Sequence, residues 1–151
     1  MSAENLPLPM LQAIRRGQGK PVSADAALKV MMPVGDMVDE IRKGTADEKG
    51  LFALAEFFTF IYGVYTEALQ KTSDKSKPLL KKRCAELAEA TKLTLGLLKK
   101  VRSGGRATCS LKELDKIDAA YDVAINAHEV LPEWLFIKAY RHQEAFMRRK
   151  K

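Results

Sequence analysis

The sequence predicts an all-α protein, a compact bundle of four to six helices with a buried, aromatic-rich central helix. Three observations carry that expectation. Apolar residues recur at spacings of three and four along most of the chain, as one face of an α-helix requires. Ser or Thr stands three positions before Glu at two helix openings, and glycines stand at the closings. Ala, Leu, Lys and Glu dominate the composition, which favours helix, and no segment alternates apolar with polar residues as a half-buried strand does.

Residues 1–22 open with Leu6-Pro7-Leu8-Pro9 and close with a polar Gly/Arg/Lys stretch, which reads as a flexible N-terminal arm. Residues 23–147 read as a single helical domain, and residues 148–151 as a basic, disordered tail. Within the domain, Ser23 is placed to cap a helix that Pro33 kinks or breaks. Val34, Met37, Val38 and Ile41 continue at helical spacing to a stop at Gly44. Thr45 and Glu48 have capping-box spacing and open the central helix, which extends to about Thr72. Its Phe52, Leu54, Phe57, Phe58, Phe60, Ile61, Val64, Tyr65 and Leu69 cover most of the circumference. Pro78 suits the first turn of a third helix. There Leu80, Cys84, Leu87, Thr91, Thr94, Leu98 and Val101 form a heptad-like seam up to Gly104-Gly105. Ser110 and Glu113 form a second capping box. It opens a helix with Leu114, Ile117, Tyr121, Ile125 and His128 on one face. Pro132 marks a kink or new start before a last helix carrying Trp134, Leu135, Phe136, Tyr140 and Phe146.

At 151 residues the chain fits one domain, and 46% hydrophobic residues supply a core. The longest apolar stretch, residues 51–65, is shorter than the ~20 residues of a membrane span and contains Glu56. No basic segment followed by an apolar run begins the chain, so a cytoplasmic protein with no membrane association is expected. Cys84 and Cys109 do not make a disulfide framework, and no Cys/His cluster has zinc-ligand spacing.

No constellation of residues suggests a reaction. His128 falls on an apolar face, where a packed histidine with a satisfied nitrogen is expected, and His142 lies beside the basic tail. Neither has a Glu three residues before it, so the di-iron pattern is absent. Glu56 and Glu67 are separated by about 16 Å of helix, too far for one acid/base pair. They read as the wet edge of the central helix or as partners for a neighbour's cations. The Ser103-Gly104-Gly105-Arg106 turn lacks the spacing of a phosphate-binding loop. We therefore expect no enzyme, no cofactor and no metal.

The charge is more informative. The formal net charge of +7 lies in the C-terminal half, since residues 1–75 sum to −1 and residues 76–151 to +8. On a helical wheel Lys81, Lys92 and Lys99 fall together beside the seam, with Ala85 and Ala88 between the first two. Lys100, Arg102 and Arg106 follow, and Arg148, Arg149, Lys150 and Lys151 end the chain. Three readings compete. These cations contact a polyanion such as a nucleic-acid backbone, with weak sequence selectivity. They are neutralised by the acidic fourth helix, where residues 110–133 hold six acids and two lysines. Or they form a solvated face. Recognisable nucleic-acid motifs are absent. The rival function is protein–protein interaction, as an accessory subunit or in self-association. It would use the seam of helix 78–103 or the last helix, with Trp134, Phe136 and Tyr140 as interface residues. Far-ultraviolet circular dichroism is expected to show about two-thirds helix or more, and a clear strand contribution would contradict the architecture.

Overall fold

A computed structural model of the chain describes residues 23–24, 37–138 and 141. Among them there is no strand. The helices are α1 (Met37–Lys43), α2 (Glu48–Lys71), α3 (Lys77–Arg102), α4 (Leu111–Ile125) and α5 (Ala127–Val130). A further helical stretch, α6, covers residues 133–138. The expected all-α bundle is what the chain forms. Ser23 and the buried, helical Ala24 are described. The Pro33 break, the rest of the arm and the basic tail lie outside the described residues.

Glycine stops α1 and α3 by the same device. Gly44 (φ +73°) and Gly104 (φ +90°) occupy the left-handed region, which a residue with a Cβ enters only at a cost. After α1, the Thr45 amide donates to the Glu40 carbonyl at 2.9 Å and Gly44 to Ile41 at 3.1 Å. After α3, Gly105 donates to Lys100 at 2.9 Å and Gly104 to Val101 at 3.0 Å. Both patterns are Schellman motifs, which satisfy the last carbonyls of a helix.

The start of α2 differs from the sequence reading. Its N-cap is Asp47, whose carboxylate accepts from the Gly50 amide at 2.8 Å. Thr45 instead closes the preceding helix, its hydroxyl donating to the Glu40 carbonyl at 3.3 Å. The Schellman turn holds the Thr45 backbone to α1, so the next helix begins two residues later. By contrast Ser110 and Glu113 form the expected capping box, each side chain bonded to the other residue's amide.

The core is built around α2. Leu51, Leu54, Phe57, Phe58 and Ile61 are wholly buried. The Phe57 and Phe58 rings lie 6.4 Å apart, and Phe57 meets the edge of Tyr121 from α4 at 6.1 Å. The helix is not covered all round: Thr59, Tyr62 and Gly63 face solvent. On that open side the Thr59 and Thr66 hydroxyls donate to carbonyls four residues back.

The α3 seam packs inward against this core. Leu80, Leu87, Thr94 and Leu98 are buried, and Cys84, Thr91 and Val101 half-buried. Ala90 and Leu97 widen the stripe so that α3 touches both α2 and α4. Thr94 satisfies its buried hydroxyl on the Ala90 carbonyl at 2.8 Å. The seam is therefore part of the core and is not open to a partner. Next, α4 ends at Ile125, and Asn126 separates it from the single turn of α5, so His128 does not continue the α4 face. No helix among the described residues is long and apolar enough to cross a membrane.

Replacing Phe57 or Phe60 by Asp is expected to prevent cooperative folding. An unpaired charge at these sites costs several kcal/mol out of a total of about 5–15. Solubility and a melting scan of both variants check this, and unchanged melting would mean the core has been misplaced.

Candidate nucleic-acid interface

Packing the seam inward turns the opposite side of α3 outward. Lys81, Lys92 and Lys99 stand there, 11 and 7 residues apart, which keeps them within about 20° of one line along the helix. The row spans about 27 Å of axis. Between the lysines Ala85, Ala88 and Gly96 keep much of the surface low, while Leu95, 49% exposed, stands between Lys92 and Lys99. A Cβ added to Gly96 would meet nothing within 4 Å. Lys82 lies further round, also exposed.

Among the described residues no carboxylate stands within ion-pair distance of Lys81, Lys82, Lys92 or Lys99. Ion pairing of these four lysines with the acidic fourth helix is therefore not what the structure shows, although Glu113 lines a hollow together with Lys92 and Lys100. Although α4 packs on α3, Asp115, Asp118 and Asp122 point to solvent. The one ion pair between the two helices runs the other way, from Lys116 of α4 to Glu89 of α3 at 3.4 Å. Glu89 is the acid nearest the lysine row on the helical wheel, so α4 supplies it with a cation.

The other predicted cations are engaged within the molecule. Lys100 Nζ donates to the Thr108 carbonyl at 3.0 Å and braces the α3–α4 turn. Arg102 Nε donates to Glu48 Oε1 at 2.8 Å, tying the end of α3 to the start of α2. The Arg106 guanidinium lies over Gly44, 3.3 Å from where a Cβ would sit. That position at the C-terminus of α1 suits a cation. Arg148, Arg149, Lys150 and Lys151 lie outside the described residues.

The predicted protein-contact residues divide. Trp134 is 49% exposed, with Lys71 Nζ 5.0 Å and Lys138 Nζ 5.9 Å from its ring centroid. Glu67 receives Lys138 at 2.8 Å and Lys71 at 3.4 Å. The hydrogen bond from Lys138, with help from Lys71, holds its carboxyl below the usual carboxylate range. Glu67 thus meets a neighbour's cation, one of the two roles expected of it. Phe136 is completely buried in the core, which does not fit the expectation of an interface residue. Leu131, Leu135 and Phe136 form the inward side of this segment, which leaves Trp134 facing out. Tyr140 lies outside the described residues.

Four groups of chemical interest remain. Burial pushes both the Cys84 and Cys109 thiols up, so neither has the depressed pKa of a reactive thiolate. His128 is half-buried with its Nδ1 enclosed and unpartnered, not satisfied as the sequence suggested. Glu56 is half-buried too, with Oε2 enclosed and unpartnered, and burial pushes its pKa up to about 7. It is therefore not the wet edge that its place on the helical wheel implied. No group of His, Cys, Asp and Glu among the described residues could hold a metal ion.

Comparison with protein-family models, with curated proteins and with solved structures finds no match to this chain.

Glu56 has a testable consequence. Its folded pKa, about 7, exceeds the ordinary value of 4.5, so the folded state holds the proton more tightly than the unfolded chain does. The associated stability is fully present below about pH 4.5 and is lost as pH rises through 7. Glu56→Gln is expected to melt a few degrees above the native protein at pH 8 and close to it at pH 5, as thermal scans at the two pH values would show. An equal difference at both would mean that Glu56 is charged throughout.

Proposed function

We propose that this protein is a non-enzymatic binding module that engages the phosphate backbone of a nucleic acid through the outward face of α3. The observation that carries the reading is the row of Lys81, Lys92 and Lys99, which is aligned, exposed and without an ion-pair partner among the described residues. Holding unpaired like charges in line has an unfavourable self-energy, and a polyanion relieves it while releasing its own counterions. The shape fits as well. A convex line about 27 Å long matches roughly eight base-pair steps of a duplex, and Ala85 and Ala88 between Lys81 and Lys92 let a phosphate strand approach the helix there. Such contacts position a backbone without reading bases, so selectivity between sequences is weak. A cytoplasmic setting agrees with Cys84 and Cys109, which are both free thiols.

Anisotropy of labelled duplex and single-stranded oligonucleotides across a salt series tests the proposal. Affinity is expected to fall steeply with salt, each phosphate contact adding about 0.9 to the slope on duplex DNA. Changing Lys81, Lys92 and Lys99 together to Gln is expected to flatten that slope by about two to three units. Because these lysines have no partners in the fold, the triple change should leave helix content and melting unaltered. Absence of binding at low salt, or a slope untouched by the triple change, defeats the proposal.

A further inference from the structure

We propose that the groove between the end of α2, the start of α3 and the turn joining α5 to α6 is a docking site for an acidic segment of a protein partner, anchored by one bulky apolar side chain. Six large hydrophobic side chains are exposed among the described residues, and three of them rim this one groove: Leu79 (46%), Val130 (52%) and Trp134 (49%). They come from three different elements, so their convergence is a property of the fold and not of one helix. The floor is apolar, formed by Ala68, Leu80 and Leu135.

Size and charge define the occupant. The cavity volume is about 180 Å³. Cofactor and small-molecule sites occupy roughly 300–1,000 Å³, so this groove suits a single anchoring side chain. Lys71 is the charged residue that lines it, and Lys138 and Arg141 line the adjoining hollow beside Trp134. Among the described residues no carboxylate lines either one. Among the described residues Glu67 is the carboxylate paired with Lys71 and Lys138, so these two cations and Arg141 outnumber it along this rim. An apolar slot bordered by cations is complementary to an apolar residue flanked by Asp or Glu. A nucleic acid fits it less well. Base stacking needs a flat open ring, whereas lysines stand over Trp134 and the opposite wall is the branched side chains of Leu79 and Val130.

The site is separate from the lysine row. Leu79 and Lys81 are two residues apart on α3, about 200° round the helix. The two surfaces can therefore be tested independently.

The experiment selects peptides from a displayed random library against the full chain and titrates the synthesised winners. Trp134, the chain's single tryptophan, reports binding by its fluorescence. The selected peptides are expected to share one Leu, Ile, Phe or Trp flanked by at least two acidic residues. Leu79→Ser and Val130→Ser should each weaken binding about tenfold or more with melting unchanged, because both side chains already stand half in solvent. Lys71→Gln should weaken it and reduce its salt dependence, and the triple lysine-to-Gln change on α3 should leave it intact. Failure to enrich peptides, basic or anchorless winners, or winners indifferent to the serine variants overturn the proposal. A thymidine oligonucleotide that quenches Trp134 and displaces the peptides would assign the groove to nucleic acid. A doubled mass abolished by Leu79→Ser would assign it to a second copy of the chain. Either result also overturns it.

Discussion

The burial of α2 is the constraint from which the rest of the molecule follows. A helix that carries Leu51, Leu54, Phe57, Phe58 and Ile61 wholly buried must be flanked on several sides by other apolar faces. The seam of α3 supplies the largest of these, α4 adds Tyr121 against Phe57, and α1 adds Met37, Val38 and Ile41. Once the seam is committed to α2, the orientation of α3 about its own axis is fixed, and every other residue of α3 follows. Lys81, Lys92 and Lys99 face out because Leu80, Leu87 and Leu98 face in. The candidate binding surface is thus a consequence of core packing, with no loop or cofactor needed to hold it.

Electrostatics then sorts the cations. Asp39 with Lys43, Glu67 with Lys71, and Arg83 with Glu86 are close pairs within one helix. Exposed pairs of this kind contribute at most about 1 kcal/mol each. Those that join distant elements matter more for geometry than for energy. Arg102 to Glu48 fixes the end of α3 against the start of α2, and Lys138 to Glu67 fixes α6 beside the end of α2. Lys81, Lys92 and Lys99 are among the exposed cations that this pairing leaves without an ion-pair partner among the described residues. Glu89, the acid of α3 nearest the row on the helical wheel, is already matched by Lys116.

What was legible in the sequence was whatever local physics decides. The Ser110–Glu113 box and the stops at Gly44 and Gly104 are set by the chemistry of a few adjacent residues, and they appear as read. The seam is also local, since helical periodicity alone gathers its residues on one side. Readings that depended on neighbours fared worse. Thr45 has the spacing of a cap, but the preceding Schellman turn uses its backbone, and Asp47 takes the role. Trp134 and Phe136 look alike as aromatic candidates. Only the register of Leu131 and Leu135 against the core decides that Phe136 is inside and Trp134 outside. Glu56 sits on the polar side of a helical wheel and is nonetheless enclosed, because a wheel records direction and not what lies in that direction. The rim of Leu79, Val130 and Trp134 joins residues up to 55 positions apart and has no signature in the linear chain.

The chain therefore presents two cationic surfaces that differ in kind, and the difference determines what each can recognise. The α3 row is convex, Ala85 and Ala88 lie between its first two lysines, and its lysines are exposed. Its attraction is long-ranged and is screened over about 8 Å at physiological salt. It favours a partner with many regularly spaced charges and discriminates little among them. The Trp134 groove is concave and apolar, with its cations at the edge, so water leaves it when an anchor enters. Hydrophobic burial is not screened by salt, and the electrostatic contribution there is the smaller part. A polyanion without apolar groups gains little in the groove, and a short peptide with two or three carboxylates gains little along the row. On the two proposed readings, the same net positive charge would serve two partners without competition, because shape and apolar surface, not charge, would separate them.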